Sequence, residues 1–298
     1  MVEGARDVDL SPEDFDIIRD YIHRVSGIAF NREKMYLIQQ RLEPLVRAAG
    51  CKDFSELSRK LVHDDSVGLR NDVILSITTN ETSFFRDVHP FEAFRTTILP
   101  ELADRIRRRK AAFPGGGSPT KAHILSTGAS TGQEPYSIAM LVHEFTAGRP
   151  GSDLAPDDFN ILATDISKKV LQKAMAGEYT KSEVDRGLSE KRQAAFFTES
   201  GKIWRLRDAI RNRVRWHQLN IIEPYAIFGI KCDVIFCRNM MIYFDDATKR
   251  RVFDTLFRLL TDEGYLFLGA MESTYMLTDK FESVRMGETL VYRKRKTG

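Results

Sequence analysis

Beyond residue 122 short apolar runs alternate with helical patterns, and this alternation restricts the fold more than any other feature of the chain. Residues 123–127 precede a helical pattern from Pro135, residues 161–164 one from Ser167, and residues 233–237 one from Asp246. Strands joined through helices in this way build a parallel sheet with helices on both faces, a doubly wound α/β fold. Residues 264–269 supply another strand, and residues 281–292 read as a terminal antiparallel hairpin turning at Gly287-Glu288. Between the second and third sheet strands, residues 177–216 are too many for a simple crossover, so something is inserted there. The insertion opens with a helical stretch over 189–197, and residues 197–207 then read as strand, turn, strand.

The first part of the chain has a different period. Ser11-Pro12-Glu13-Asp14 has the form of an N-cap, a proline at the first helical position and an acidic first turn, followed by Phe15, Ile18, Ile22 and Val25 at helical spacing. Gly27 is the expected stop. A second helix follows Asn31 with Met35, Ile38, Leu42 and Leu45 inward, and Pro44 is expected to kink or divide it. Short helices follow around Phe54, Leu57 and Leu61 and around Leu69, Val73, Ile74 and Ile77, then a longer one from Pro90 through Arg109. The run Pro114-Gly115-Gly116-Gly117-Ser118-Pro119 favours a flexible connection. The expected organisation is an all-α domain over 1–88, a connecting helix and linker over 89–122, and an α/β domain over 123–298 with its insertion at about 177–216.

Composition removes several function classes. Lys plus Arg number 45 against 42 for Asp plus Glu, a balance with no general signature for nucleic acid or membrane. Cys51, Cys232 and Cys237 fit neither a disulfide framework nor a zinc pattern, and six scattered histidines supply no ligand cluster, so no metal is expected. The chain opens Met1-Val2-Glu3-Gly4 without an apolar signal core, and no apolar run approaches the ~18 residues of a membrane span. A soluble protein of the reducing cytoplasm is the expectation. The basic run Arg105 to Lys110 lacks interleaved aromatics and reads as a helix C-terminus favoured by its dipole. Met240 and Met241 read as core filler.

In open α/β sheets ligands bind at the carboxyl ends of the strands, where the Gly128–Gly132 turn falls. The run lacks a dinucleotide fingerprint and a Walker lysine. It matches Gly-x-Ser-x-Gly, which would make Ser130 a hydrolase nucleophile, but only His143 and His217 follow it and neither lies late in the domain. Asp165 ends the second strand, where a carboxylate accepts hydrogen bonds from both ribose hydroxyls or, in the plainer reading, caps the next helix. Asn239, after the strand at 233–236, should face the same crevice as Gly128 and Asp165. Asn220 would reach it from a neighbouring strand with an amide suited to an adenine edge, or serve as a turn residue before Pro224. Arg86 reads either as a site residue or as a surface ion pair with Asp87 or Glu92, and Tyr243 as a site residue or a core aromatic beside Phe244.

Three runs in order, Thr78-Thr79-Asn80-Glu81-Thr82-Ser83-Phe84-Phe85-Arg86, Ser126-Thr127-Gly128-Ala129-Ser130-Thr131-Gly132-Gln133-Glu134-Pro135 and Cys237-Arg238-Asn239-Met240-Met241-Ile242-Tyr243-Phe244-Asp245, resemble the chemotaxis receptor methyltransferases of the CheR family. The resemblance spans nearly the whole chain and implies a class I methyltransferase domain, with a small antiparallel subdomain inserted in it. Carried over by motif, it implies an S-adenosylmethionine pocket in which Asp165 holds the ribose, Glu134 the methionine end and Asn220 with Ile221 the adenine end. Arg238 and Asn239 join that pocket, Asn80 and Thr82 hold cofactor, and Arg86 stands between cofactor and substrate. The implied reaction is methyl ester formation on glutamates of a chemoreceptor's helical cytoplasmic region. Such carboxylates are already ionised at neutral pH, so Arg86 and Tyr243 would orient the nucleophile without deprotonating it. Arg32, Lys34, Arg41 and Arg47 offer a basic face for an acidic helical receptor, or a solvated helix face, and the inserted subdomain is a second receptor contact. Thr127 and Ala129 depart from the family's more usual Ala and Cys, and Gly269-Ala270-Met271-Glu272-Ser273 from Gly-His-Ser-Glu-Ser. The short Glu199-Ser200-Gly201-Lys202 turn implies binding that needs no receptor tail peptide. A catalytically silent receptor-binding module and the Ser130 hydrolase remain as rival readings.

Overall fold

The computed structural model describes residues 9–63, 66–117, 120–148, 153–223 and 229–296. The opening Met1-Val2-Glu3-Gly4, Ser118-Pro119 of the linker and Pro224 lie outside them. The chain divides into two compact units: the described residues up to Thr79 together with Tyr243–Thr248, and Asn80–Ile242 with the remainder from Lys249.

The first unit is built from α1 (Pro12–Ser26), α2 (Met35–Ala48), α3 (Phe54–His63) and α4 (Val67–Ile77). Ser11 caps α1 by accepting from the Asp14 amide at 3.1 Å, and the helix ends at Gly27. Phe15, Ile18, Ile22, Ile38, Leu42, Phe54, Leu57, Val73 and Ile77 are buried, as their helical spacing required. Asp14 is buried with them and accepts from the hydroxyls of Ser11, Ser55 and Ser58 at 2.6–2.7 Å. A short 3₁₀ turn over Arg32–Lys34 separates Asn31 from α2, and Pro44 lies inside α2 without dividing it. The carbonyl left without an N–H by Pro44 belongs to Gln40, which is exposed and open to water. Ile28 bridges Phe244, and Ala29 donates to the Tyr243 carbonyl at 2.9 Å, so the 243–248 segment belongs to this helical unit.

In the second unit a helical stretch begins with α5 (His89–Ala93), widens into a π turn over Phe94–Ile98 and continues as α6 (Leu99–Ala112). The wider turn sits just ahead of Pro100, which has no amide to give the preceding turn. There follow β1 (Ala122–Thr127), α7 (Gln133–Ala147), β2 (Phe159–Asp165) and α8 (Lys168–Ala176). The insertion holds β3 (Glu178–Thr180), α9 (Lys181–Asp185), α10 (Glu190–Phe196), β4 (Phe197–Ser200), β5 (Ile203–Leu206) and α11 (Asp208–Arg211). The chain closes with β6 (Val214–Gln218), β7 (Cys232–Cys237), α12 (Asp246–Leu259), β8 (Leu260–Leu268), β9 (Phe281–Met286) and β10 (Thr289–Lys294).

The main sheet has seven strands in the order β6-β2-β1-β7-β8-β10-β9. Its first five run parallel, while β10 lies antiparallel to β8 and β9 as the terminal hairpin. Every residue of β1, β2 and β7 is buried, the pattern of strands covered on both faces. The chain order reverses between β1 and β7, so β1, β2 and β7 bring their carboxyl ends to one switch point. The insertion is a three-stranded antiparallel sheet, β3-β5-β4; the hairpin was legible, whereas the three-residue β3 was not. The basic run before the linker clips α6 down. Arg109 pairs with the fully buried Asp233 of β7, Arg107 with Asp153, and Lys110 with Asp158.

Candidate functional site

The switch point is organised by side chains that leave three strand ends. Gly128 follows β1 at φ +65, and a Cβ there would stand 2.3 Å from Met240 Sδ. That thioether accepts from Thr127 Oγ1 at 3.2 Å, so Met240 covers the turn and is not the core filler its composition suggested; Met241 is buried. Asp165 ends β2 with Oδ2 accepting from the Ser130 amide and Oδ1 from the Ser167 amide, each at 2.9 Å. The cap of α8 is Ser167, which corrects the plainer reading of Asp165. Burial pushes the Asp165 pKa up, against the opposing amides of Ser167, Ser130 and Ile166. These amides do not exhaust the roughly four acceptor sites of a carboxylate, which leaves capacity for a ligand hydroxyl.

Glu134, in the first turn of α7, accepts from Ser126 Oγ and from Arg238 Nη1, both at 2.9 Å. Burial pushes its pKa up, while Arg238 and Ser126 oppose that shift. The Arg238 side chain is 1% exposed; its Nη2 donates to Asp87 at 2.7 Å and to the Arg86 carbonyl at 2.9 Å. One guanidinium thus ties the acid beside the glycine turn to the loop carrying Arg86, while its Nε is buried without a partner. The surface ion pair that was the plainer reading of Arg86 does not form among the described residues. Asp87 is held by Arg238 and Glu92 by Arg95, and the Arg86 guanidinium donates to the Glu81 carbonyl at 2.9 Å.

This loop is strained: Phe85, Asp87 and Val88 have φ of 50, 67 and 48, and for β-branched Val88 that region is a genuine outlier. Its aromatics anchor it to the insertion. Phe84 packs edge-on to Tyr179 and Phe197, and the Arg192 guanidinium, paired with Glu144, lies 4.0 Å from the Phe85 ring centre. A Cβ on Gly187, at φ +102, would stand 1.8 Å from the Phe84 carbonyl oxygen, so only glycine permits the approach.

Of the remaining expected residues, Asn80 accepts from Ser130 Oγ through its carbonyl at 3.1 Å, and Thr82 is half-buried in the same run. Asn239 follows β7 at φ 59. Asn220 and the buried Ile221 follow β6, whose neighbour Leu219 donates to the Asp165 carbonyl; the Asn220 side chain also serves its own turn, facing Ile222 and Glu223 at 3.4 Å. Asn80, Gly128, Glu134, Asp165, Arg86, Arg238 and Asn239 are therefore joined by a continuous set of contacts, with Asn220 and Ile221 at the adjoining strand end. Tyr243 is half-buried in the helical unit at the end of a 3₁₀ turn over Met241–Tyr243. Sequence reasoning missed the contacts of Asp87 with Arg238 and of Ser126 with Glu134, for which the sequence carried no signal. The Ser130 hydroxyl donates to a carbonyl, which cannot take its proton, so the nucleophile expected of a hydrolase is not assembled.

Residues 80–290 match the family model described as CheR methyltransferase, SAM binding domain, and residues 13–78 match CheR methyltransferase, all-alpha domain. The chain belongs to the CheR methyltransferase family. The chemotaxis protein methyltransferase 1 of Pseudomonas aeruginosa is 38% identical over 281 residues, covering 94% of this chain and 97% of the relative. The chemotaxis protein methyltransferase of Vibrio parahaemolyticus is 37% identical over 287 residues, with 96% and 98% covered, and that of Escherichia coli 33% over 276 residues, with 91% and 88% covered. As a CheR methyltransferase the protein is an S-adenosylmethionine-dependent enzyme. Its switch point fits that cofactor. Asp165 keeps acceptor capacity beyond its amides, Gly128 leaves the turn without a side chain, and the largely buried Glu134 carboxylate beside that turn is paired with the Arg238 guanidinium. No metal-holding cluster of His, Cys, Asp or Glu occurs among the described residues, and no helix there is long and apolar enough to cross a membrane.

Proposed function

We propose that this methyltransferase acts in chemotaxis or a related signalling pathway, esterifying glutamate carboxylates in the helical cytoplasmic region of a chemoreceptor. The observation that carries the reading is the Arg238 bridge from Glu134 to the loop of Arg86. Asp165 takes the ribose hydroxyls, Glu134 the methionine ammonium, and Asn220 with Ile221 the adenine; Gly128, Asn80, Thr82, Arg238 and Asn239 complete the pocket. The bound sulfonium supplies an electrophilic methyl group. The receptor carboxylate is already the nucleophile, so the catalytic assignment of Arg86 and Tyr243 is to orientation and electrostatics. Arg86 presents a planar fork matched to a carboxylate, and exchanging its Glu81 carbonyl contact for the substrate uses donors already in place.

The helical domain, whose compact unit ends at Thr79 and not at the expected residue 88, the connecting helix and linker, and the cofactor domain divide this work. The basic residues Arg32, Lys34, Arg41 and Arg47 belong to the same proposal as the receptor-facing surface, with the inserted subdomain as a second contact. Arg32 pairs with Asp16 and Arg47 with Glu43 on exposed surface, where such pairs are weak enough to exchange for a receptor's acids. The short turn between β4 and β5 fits binding that needs no receptor tail, and tight binding of a tail peptide would overturn that part.

Titration calorimetry with S-adenosylhomocysteine tests the pocket without the receptor. Saturable binding that weakens about tenfold or more in Asp165→Ala is expected; no binding by the folded wild-type protein sinks the pocket. Incorporation of base-labile methyl groups into a receptor's cytoplasmic fragment, lost in Arg86→Ala while product binding persists, tests the reaction.

A further inference from the structure

Glu272 belongs to none of the roles above, yet its carboxylate is bound as tightly as any in the molecule. It lies in the loop after β8 and is 8% exposed. Its Oε2 accepts from the Gly269 amide at 2.6 Å and the Asn239 amide at 2.8 Å, and its Oε1 from the Met241 amide at 2.6 Å. Three converging backbone N–H groups make an anion nest, and here the anion is the chain's own. The fit requires Gly269: a Cβ there would stand 2.7 Å from Glu272 Oε2 and 2.9 Å from the Asn239 amide.

The clamped turn is the one that matters for the reaction. Asn239 is held at φ 59, a conformation that opposes a side chain, and its neighbours on either side are the two contacts of the site. Arg238 reaches Glu134, Asp87 and the Arg86 carbonyl, while Met240 covers Gly128. We propose that Glu272 is a positioning residue for methyl transfer, which sets the 238–241 turn and through it the distance between the cofactor acid Glu134 and the Arg86 loop. The inference rests on the assignment of Glu134 and Arg86 to the reaction site. A glutamine in its place keeps the shape but turns an N–H toward one or more of the three donors, so the turn opens without loss of a large side chain.

The test is a double-mutant cycle of Glu272→Gln and Gly269→Ala in the full-length protein, read by calorimetry with S-adenosylhomocysteine, by kcat on a receptor cytoplasmic fragment and by thermal melting. Each single variant should weaken product binding about tenfold and lower kcat further, and the double variant should be no worse than the poorer single, since both break one nest. Wild-type affinity and kcat in Glu272→Gln, with only the melting temperature lowered, would make the clamp purely structural and overturn the proposal, as would additive losses in the double variant. If Glu272→Gln does not fold, Gly269→Ala alone carries the measurement on the same terms. A wild-type protein that fails to bind the product sinks the pocket assignment itself, a separate result.

Discussion

Asp14 and Glu134 are both carboxylates buried near the start of a helix, one in the helical unit and one in the sheet unit, and their environments treat them in opposite ways. Burial raises the Asp14 pKa, but the hydroxyls of Ser11, Ser58 and Ser55, with Arg59, outweigh it, so Asp14 stays below the usual carboxylate range. Around Glu134 burial wins despite Arg238 and Ser126, and the pKa rises. The first is a finished structural joint, with neutral donors closing on the anion from two helices. The second is a charge held out of water beside a ligand turn, dependent on a single guanidinium. Neutral hydroxyl cages serve folding; a costly buried pair at a switch point is the more telling mark of function.

The largest way to break this contrast is Arg238→Met, which leaves Glu134 without its counter-ion. A loss of about 3–5 kcal/mol is expected in urea unfolding, together with loss of product binding; a loss under about 1 kcal/mol would mean that Glu134 is protonated and unpaired in the native protein. Next comes Gly187→Ala, where the strained φ and the carbonyl contact should cost about 3 kcal/mol and displace the Arg86 loop, seen as a fall in kcat larger than the change in product affinity. Asp14→Ala strands three hydroxyls and should cost about 2 kcal/mol with product affinity unchanged.

Acid separates the two carboxylates by sign. Because the folded pKa of Asp14 is depressed, its stabilisation is present above its unfolded value and is lost as pH falls through the folded value, so Asp14→Asn should flatten the acid limb of a melting-temperature profile. Glu134, with its raised pKa, contributes oppositely: stability declines as pH rises from its unfolded value through its folded one. Product affinity should climb over that same interval as the anion forms, and Glu134→Gln should abolish the climb. The smallest effect is Arg47→Ala, under about 0.5 kcal/mol in stability, read instead as weaker methylation of a receptor fragment at low salt.

What was legible in the sequence was local. The Ser11 cap, the Gly27 stop, the βα alternation and the Gly287 turn each depend on residues a few positions apart. Pro44 misled because its penalty depends on whether Gln40 faces water, which no spacing reveals. Asp14 read as a helix-dipole acid although its partners Ser55 and Ser58 lie 41 and 44 residues away. Arg109 read as a helix end, while its partner Asp233 is 124 residues on. The motif resemblance supplied the family and the residues proposed for the pocket, but the contacts of Glu272 were invisible because its partners are backbone amides, which carry no signature of their own.

Gly187 has a consequence for how variation at this locus is interpreted. It carries no functional group and sits in an insertion, where substitutions are ordinarily tolerated, yet any side chain there collides with the peptide unit at Phe84. A saturation library scored for signalling should therefore show at 187 a gap as deep as at Arg86, and a clinician's rule of thumb that equates intolerance with chemistry would misplace the enzyme's centre. The way to tell the two gaps apart is suppressors: losses at 187 should be relieved by second changes in the loop of Phe84, whereas no neighbour can replace a missing guanidinium.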